Sequence, residues 1–420
     1  MNKLGVVYYN LGTYYKEGLG VEKDLHKALS YLKKSVKLNN PDAMVKLASI
    51  YKDGKIYDER PREVFKLLNK SAKLQCVEAM SLLAGCYSFG YGTKLNKKKA
   101  FYWYSRAAAK SDGEALYNLG VFYYEGEIIE RDFKKAYNYY SQAAKVGNAD
   151  AQYALAFMYR FGIGVEVNIQ EAFYWLNQSA ENNKSDSLVL LGSEYKEGKT
   201  VKKDNKKAFD FFKKAATQNN YEAMIYLGEC YLEGLGCRKN YKRAFSLFLK
   251  AAVVLEDPLA QAQVGFAYMN GRGTEKNITK AIFWLEKSAE QGDVSSKINL
   301  GCIYKSGRQI PKNYKKSFHW FNEAAKDNDS EGITELGNFY AKGFGVKKDY
   351  LKAFTLYKKG ASLSDPSACY NVAECYEQGK GTKKNRPLAM KWYRKSFALG
   401  CKKAGARLMV LDSNEANHLK

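Results

Sequence analysis

The sequence predicts an all-α fold, an α-solenoid of about eleven 36-residue helix-turn-helix repeats. Three observations carry that prediction. A Gly or Ala three residues ahead of a tyrosine recurs at Gly12, Ala48, Ala84, Gly120, Ala156, Gly192, Gly228, Gly265, Gly301, Gly337 and Ala373. Each step is 36 residues except Gly228 to Gly265, which is 37. A second glycine, suited to the left-handed turn that closes a helix, follows at Gly18, Gly54, Gly90, Gly126, Gly162, Gly198, Gly234, Gly271, Gly307, Gly343 and Gly379. A residue able to cap a helix through its side-chain oxygen comes next, at Asp24, Asn96, Asp132, Asn168, Asp204, Asn240, Asn277, Asn313, Asp349 and Asn385. A fixed period of this size means stacked units, each burying a core only against its neighbours.

One repeat shows how each element follows from the residues. From Asp150 to Arg160 the apolar residues Ala151, Leu155, Met158 and Tyr159 fall at helical spacing, so this stretch is the first helix. Gly162 ends it, a loop follows, and Asn168 opens the second helix. There a small residue, an aromatic three further on and a small pair recur, as in Ala172, Trp175 and Ser179-Ala180 or Ala281, Trp284 and Ser288-Ala289. Small residues let helices approach, and the aromatic fills the space between repeats, so the tryptophans are expected in the core.

Departures from the pattern mark where geometry should change. The second unit has Arg60 and Pro61 at the cap, Val64 in the usual Ala position and Ile56 for the second loop glycine. Ile128, Thr200 and Gln309 replace that same glycine elsewhere. The extra residue, between Val253 and Pro258, should perturb the stack between the seventh and eighth repeats. Gly400 to Met409 reads as a closing helix and 412–420 as a polar C-terminal tail, giving one solenoid over residues 1–411. No polar capping helix precedes the first repeat, so that end should dock on a partner or a second copy, or reflect a trimmed start.

The pattern Ala-x-x-x-Leu-Gly-x-x-Tyr-x-x-Gly-x-Gly, then Asp/Asn-x-x-x-Ala-x-x-Trp/Tyr-x-x-x-Ala-Ala, resembles the Sel-one-like repeat family from about Gly5 to Met409. That family is related to tetratricopeptide repeats but has a longer unit. The resemblance implies a right-handed superhelix and adaptor work in assembling other proteins. One cysteine-rich secreted branch of the family is described with penicillin-binding and β-lactamase activity, and closes each repeat with a cysteine pair. Cys369 matches one of those positions, but Ala361 stands at the other, so the pairing does not carry over.

Composition narrows the function classes. The formal net charge of +24 suits an acidic protein, a nucleic acid or an anionic membrane, although the cations are spread through every repeat. No apolar run is long enough to span a membrane, and the opening residues lack the core of a signal peptide. The eight cysteines share no recurring pair spacing, which points to free thiols in the cytoplasm or another reducing compartment. His26, His319 and His418 are too scattered to build a metal site or a nucleophilic triad, so no cofactor and no catalytic residue is expected. Gly192 to Thr200 looks like a phosphate loop but has five residues between its glycines where four are needed.

The first helices offer a binding stripe. Positions three before and four after the pattern Gly/Ala lie seven apart and project from one side of the helix, away from the core-facing Leu and Tyr. They hold Tyr9 with Lys16, Tyr117 with Tyr124, Tyr153 with Arg160, and Ile298 with Lys305. Asn10, Asn118, Asn299 and Asn371 recur beside them. Rings give area, amides pair with peptide backbone and cations meet acidic side chains. The expectation is a non-enzymatic scaffold or adaptor that binds a protein partner, with acidic groups to meet these cations, along a concave first-helix face. A basic surface for nucleic acid or an anionic membrane is the alternative, and a β-lactamase-like hydrolase of the cysteine-rich type stands third.

Overall fold

The computed structural model describes residues 2–54 and 59–418, with side chains to Leu411. Ile56, one of the departures noted above, lies outside the described residues. Among these residues there are 23 α-helices and no strand. They group into two compact units, Met1–Asp204 and Asn205–Lys420, where the sequence suggested one array over 1–411. The division runs through the sixth repeat, between its two helices.

The first unit holds α1 (Lys3–Glu17), α2 (Leu25–Lys37), α3 (Pro41–Asp53), α4 (Pro61–Lys73), α5 (Val77–Phe89), α6 (Lys97–Ala108), α7 (Gly113–Glu125), α8 (Phe133–Lys145), α9 (Ala149–Phe161), α10 (Ile169–Glu181) and α11 (Ser185–Glu197). The second holds α12 (Asn205–Ala216), α13 (Tyr221–Glu233), α14 (Tyr241–Val254), α15 (Pro258–Asn270), α16 (Ile278–Glu290), α17 (Val294–Ser306), α18 (Tyr314–Lys326), α19 (Ser330–Lys342), α20 (Tyr350–Ser362), α21 (Pro366–Gln378), α22 (Arg386–Ala398) and α23 (Lys402–His418). Odd-numbered helices are first helices and even-numbered ones second helices. Each packs on the helix before and after it within its unit, which is the connectivity of a solenoid.

The helix ends form as the sequence predicts. Gly126 closes α7 at φ 73° and returns its N–H to the Phe122 carbonyl. The capping residues accept from the first turn, as Asn168 does from the N–H groups of Gln170 and Glu171. Arg60 makes no such side-chain bond, and α4 relies on Pro61 in its first turn. A further left-handed residue ends every second helix, and in several repeats it is not glycine: Asn39, Gln75, Ser111, Asn183, Asn219, Glu256, Asn328 and Ser364 all have positive φ.

Burial shows which position fills the space between helices. The pattern glycines face the residue four after the small one that opens the second-helix motif. A β-carbon on Gly228 would sit 2.9 Å from the Phe248 ring, and one on Gly301 2.7 Å from the Phe321 ring. Phe212, Phe321 and Tyr393 are fully enclosed there, with Leu32, Leu176 and Leu285 in the same position elsewhere. Trp103, Trp175 and Trp284, one residue earlier, are only partly buried. Trp320 at the same position is buried in the core as expected, whereas these three pack on the core with part of their surface, as Trp175 does, and leave the enclosed position to the next residue.

Three other departures resolve simply. The extra residue of the seventh repeat lengthens α14 to 14 residues, and α15 still packs on it, while within the eighth repeat Ser288 Oγ on α16 donates to the Pro258 carbonyl at 2.8 Å as its equivalents do elsewhere. Beyond Met409, α23 continues as helix to His418. Val64 replaces the usual Ala without exposure, being 2 % accessible. Among the described residues, no helix is long and apolar enough to cross a membrane.

Candidate partner-binding face

Charge divides between the two kinds of helix. The first helix α13 carries Glu222, Glu229 and Glu233 and no cation, and α21 carries Glu374 and Glu377 and no cation. The second helix α6 carries Lys97, Lys98, Lys99 and Arg106 and no carboxylate, and α22 carries Arg386, Lys391, Arg394 and Lys395. Exceptions run both ways, in acidic α10 and basic α17. First-turn carboxylates such as Glu114, Asp150 and Glu331 follow from the positive N-terminal end of the helix dipole. The strong positive charge of the whole chain thus sits mainly on the second helices.

Part of that basic surface has a structural purpose. A cation in the first turn of the second helix lies over the tyrosine of the Gly-x-x-Tyr motif. Lys99 lies 5.4 Å from the Tyr87 centroid, Lys135 5.4 Å from Tyr123, Lys316 5.0 Å from Tyr304, and Lys352 4.2 Å from Tyr340. Each such clip ties the two helices of a repeat together by cation–π attraction.

The expected binding residues fall into three groups. Tyr153 and Arg160 come together in the first unit, lining a small cavity of about 70 Å³ with Phe157, Ile169, Phe173 and Glu194. Asn371 lines an open groove of about 980 Å³ in the second unit. Of the remaining seven, six bond or pack within their own neighbourhoods or with the next repeat. Asn118 Nδ2 donates to the Glu114 carbonyl at 2.8 Å, and Asn299 Nδ2 to the Ser295 carbonyl at 2.8 Å, one turn back on their own helices. Tyr117 is tilted against Tyr140 at 5.6 Å, and Tyr9 packs on the core of the first two repeats. Lys16 lies 3.9 Å from Glu17, and Asn10 is exposed.

Two features of the stripe differ from its sequence reading. The position three before the pattern Gly/Ala is not on an open side throughout: Val45, Val189, Ile225 and Ile298 are buried there against the neighbouring repeat. Neighbouring first helices lie side by side, so a residue turned from its own second helix can still be covered by the next first helix. The cations are also engaged. Arg160 Nη1 meets Glu194 Oε1 at 2.6 Å, and Lys305 Nζ meets Glu335 Oε2 at 2.7 Å, both on the following first helix. At the far end Arg407 on α23 pairs with Glu377 on α21. The acidic groups these cations meet belong to the chain itself.

Sequence reasoning missed the residues that complete the groove of the second unit. Glu331, Glu335 and Asn338 from α19 and Tyr370, Asn371 and Glu374 from α21 line it. Asn338 Oδ1 accepts from the Tyr357 hydroxyl at 2.8 Å and from Asn371 Nδ2 at 3.2 Å, so a core tyrosine fixes an amide pair across two repeats. Burial pushes the Glu331 carboxyl above its usual value, and Asp329, Glu335 and Asp365 add to the effect. The available signal was the position one after the pattern Gly/Ala, which holds Asn338 in one repeat and Glu374 in the next.

Among the described residues no three His, Cys, Asp or Glu side chains are grouped to hold a metal ion. All eight cysteines are free, and burial pushes the Cys86 and Cys375 thiols up to about 11. Such thiols carry little thiolate near neutral pH and are poor nucleophiles.

The Sel1 repeat pattern matches eleven times, at residues 6–40, 41–76, 77–112, 113–148, 149–184, 185–220, 222–252, 258–293, 294–329, 330–365 and 366–401. The chain belongs to the Sel1 repeat family. It is similar in structure to c5321, a protective antigen present in uropathogenic Escherichia coli strains that displays an SLR fold. That likeness has a TM-score of 0.78 at 26% identity over 90% of this chain and 81% of that one. A Sel1 repeat protein from Oxalobacter formigenes matches with a TM-score of 0.50 at 27% identity, over 70% of this chain and 85% of that one. No curated protein matches the chain.

Proposed function

We propose that this Sel1 repeat chain is a non-enzymatic scaffold that binds protein partners along the first-helix faces of its two units. The observation that supports this most is that adjacent first helices present side chains in register and form open concavities. One is apolar and aromatic around Tyr153 and Phe157, and the other polar around Asn338 and Asn371. A repeat array offers separate subsites to an extended partner, which suits assembly work. Fold-level likeness to other Sel1 proteins agrees with such a role without specifying a client.

A second reading has its own observation. Second helices expose Tyr102, Tyr241 and Phe283 among their lysines, a combination that also suits nucleic acid or an anionic membrane. Photo-crosslinking in extract of the source cell separates the two. The photoreactive residue replaces Asn10, Phe157 or Asn371 in one set and Tyr102, Tyr241 or Phe283 in the other. The scaffold reading expects discrete protein adducts from the first set that survive nuclease and high salt. Adducts confined to the second set, or lost with nuclease, would overturn it in favour of the basic surface.

A further inference from the structure

The groove of the second unit has a chemistry that selects one class of occupant. Its first-helix wall carries four carboxylates, on Glu331, Glu335, Asp365 and Glu374. Two of them are already engaged. Glu335 pairs with Lys305, and Asp365 caps α21 while accepting from Thr334 Oγ1 at 3.3 Å. Glu331 and Glu374 have no salt-bridge partner among the described residues, although the chain has an excess of cations, and Glu374 shares a side-chain hydrogen bond with Tyr370.

The lining lysines are held mostly at the loop side. Lys348 and Lys380 lie 4.8 and 5.6 Å from the Tyr350 ring centroid, and Lys342 lies 5.6 Å from Phe344. Lys403 at the start of α23 is the remaining lining cation. Between the carboxylates, the Asn338–Asn371 pair uses Asn338 Oδ1 and Asn371 Nδ2 on each other and on Tyr357. Asn338 Nδ2 and Asn371 Oδ1 are left as one donor and one acceptor without a protein partner among the described residues, which is the complement of an extended peptide backbone.

Resting on the reading of the first helices as a partner-binding face, we propose that this groove takes an extended peptide segment bearing lysine or arginine. The amide pair holds the backbone, and Glu331 and Glu374 receive the cationic side chains. Like-charge crowding makes the wall favourable to an incoming cation, since a bound lysine relieves the mutual repulsion of the carboxylates. An acidic segment meets the same crowding as a penalty, so charge sets specificity here as well as attraction.

The test uses the full chain and fluorescein-labelled peptides of about nine residues, long enough to lie extended across neighbouring helices. One peptide alternates lysine with serine, a second has glutamate for lysine, and a third has norleucine. Anisotropy titration is expected to show the lysine peptide binding at least about tenfold more tightly than the other two. The Glu331→Gln/Glu374→Gln double variant should lose about that factor with an unchanged thermal melt, whereas Glu222→Gln/Glu229→Gln on α13 removes equal charge and should leave affinity alone. Equal affinity for all three peptides, no binding of the lysine peptide, or an equal loss in both double variants overturns the proposal. The crosslinking result stands apart from this one: protein adducts at Asn10 and Phe157 with no lysine selectivity here would retain the scaffold and remove only this groove's preference.

Discussion

The Tyr140 ring occupies the space that a β-carbon on Gly120 would need, with ring carbons 2.5 Å from that position. Tyr140 is 4 % exposed, and burial pushes its hydroxyl pKa far above the usual value. The same relationship joins Gly337 to Tyr357, at 2.6 Å. A missing side chain on one helix and a large ring on its partner thus define how closely the two helices of a repeat pack. Gly120→Ala must displace a ring with no free volume behind it. It is expected to cost about 1–3 kcal/mol despite the better helix propensity of alanine. Urea unfolding of the variant checks this, and a gain in stability would show that the ring relocates freely.

Glu256 ends α14 at φ 51°, a conformation that costs a β-carbon-bearing residue roughly 1–2 kcal/mol. Its equivalents Gly147 and Gly292 avoid that cost. Glu256→Gly should stabilise the chain by about 0.5–1 kcal/mol, the relief of strain less the extra entropy of an unfolded glycine. Gly147→Ala has open space around the new methyl but should lose a similar amount, because φ and not sterics with neighbours opposes it. Paired thermal melts measure both signs.

Arg160 reaches across to Glu194, whose side chain is 11% exposed. On sequence alone Tyr153 and Arg160 lie on a stripe turned away from the core, where removing them should leave stability untouched. The pairing changes that expectation. Arg160→Ala strands a nearly buried carboxylate and should cost about 1 kcal/mol, discounted for the exposed guanidinium. Adding Glu194→Gln should recover most of the loss, since a neutral amide needs no counter-charge. A double-mutant cycle in denaturant reads the coupling, and additive effects would rule it out.

Burial pushes the Glu377 carboxyl up, but hydrogen bonds from Arg407 and Tyr393 outweigh it and hold the group below its ordinary 4.5. A carboxylate with a depressed folded pKa contributes stability above its unfolded pKa and loses it as pH falls through the folded one. The packing of α23 should therefore hold above about pH 5 and loosen progressively below the ordinary carboxylate range. Hydrogen exchange of the Lys402–Leu411 amides across pH, corrected for intrinsic rates, should show opening on the acid side. Glu377→Gln should remove that pH dependence.

The periodic features were legible because they depend on nearest neighbours along the chain. Gly126 and Asn168 act through local backbone geometry, so each could be read from spacing alone. Packing between helices was less legible. Trp175 and Leu176 are adjacent in sequence and both apolar, and only the angle at which α10 meets α9 decides which is enclosed. Tyr153, Arg160 and Asn371 line concavities, while Glu331, Asn338 and Glu374 were overlooked because single-helix spacing does not say which side chains of successive repeats become neighbours.

The sequence by itself determined the number of repeats, the ends of the helices and membership in the Sel1 repeat family, because a period of 36 residues repeats the same local physics in each unit. Tertiary structure alone decided that Arg160 answers Glu194 and that Asn338 answers Asn371. Those partners lie 34 and 33 residues apart, and only stacking brings successive first helices close enough for their side chains to meet.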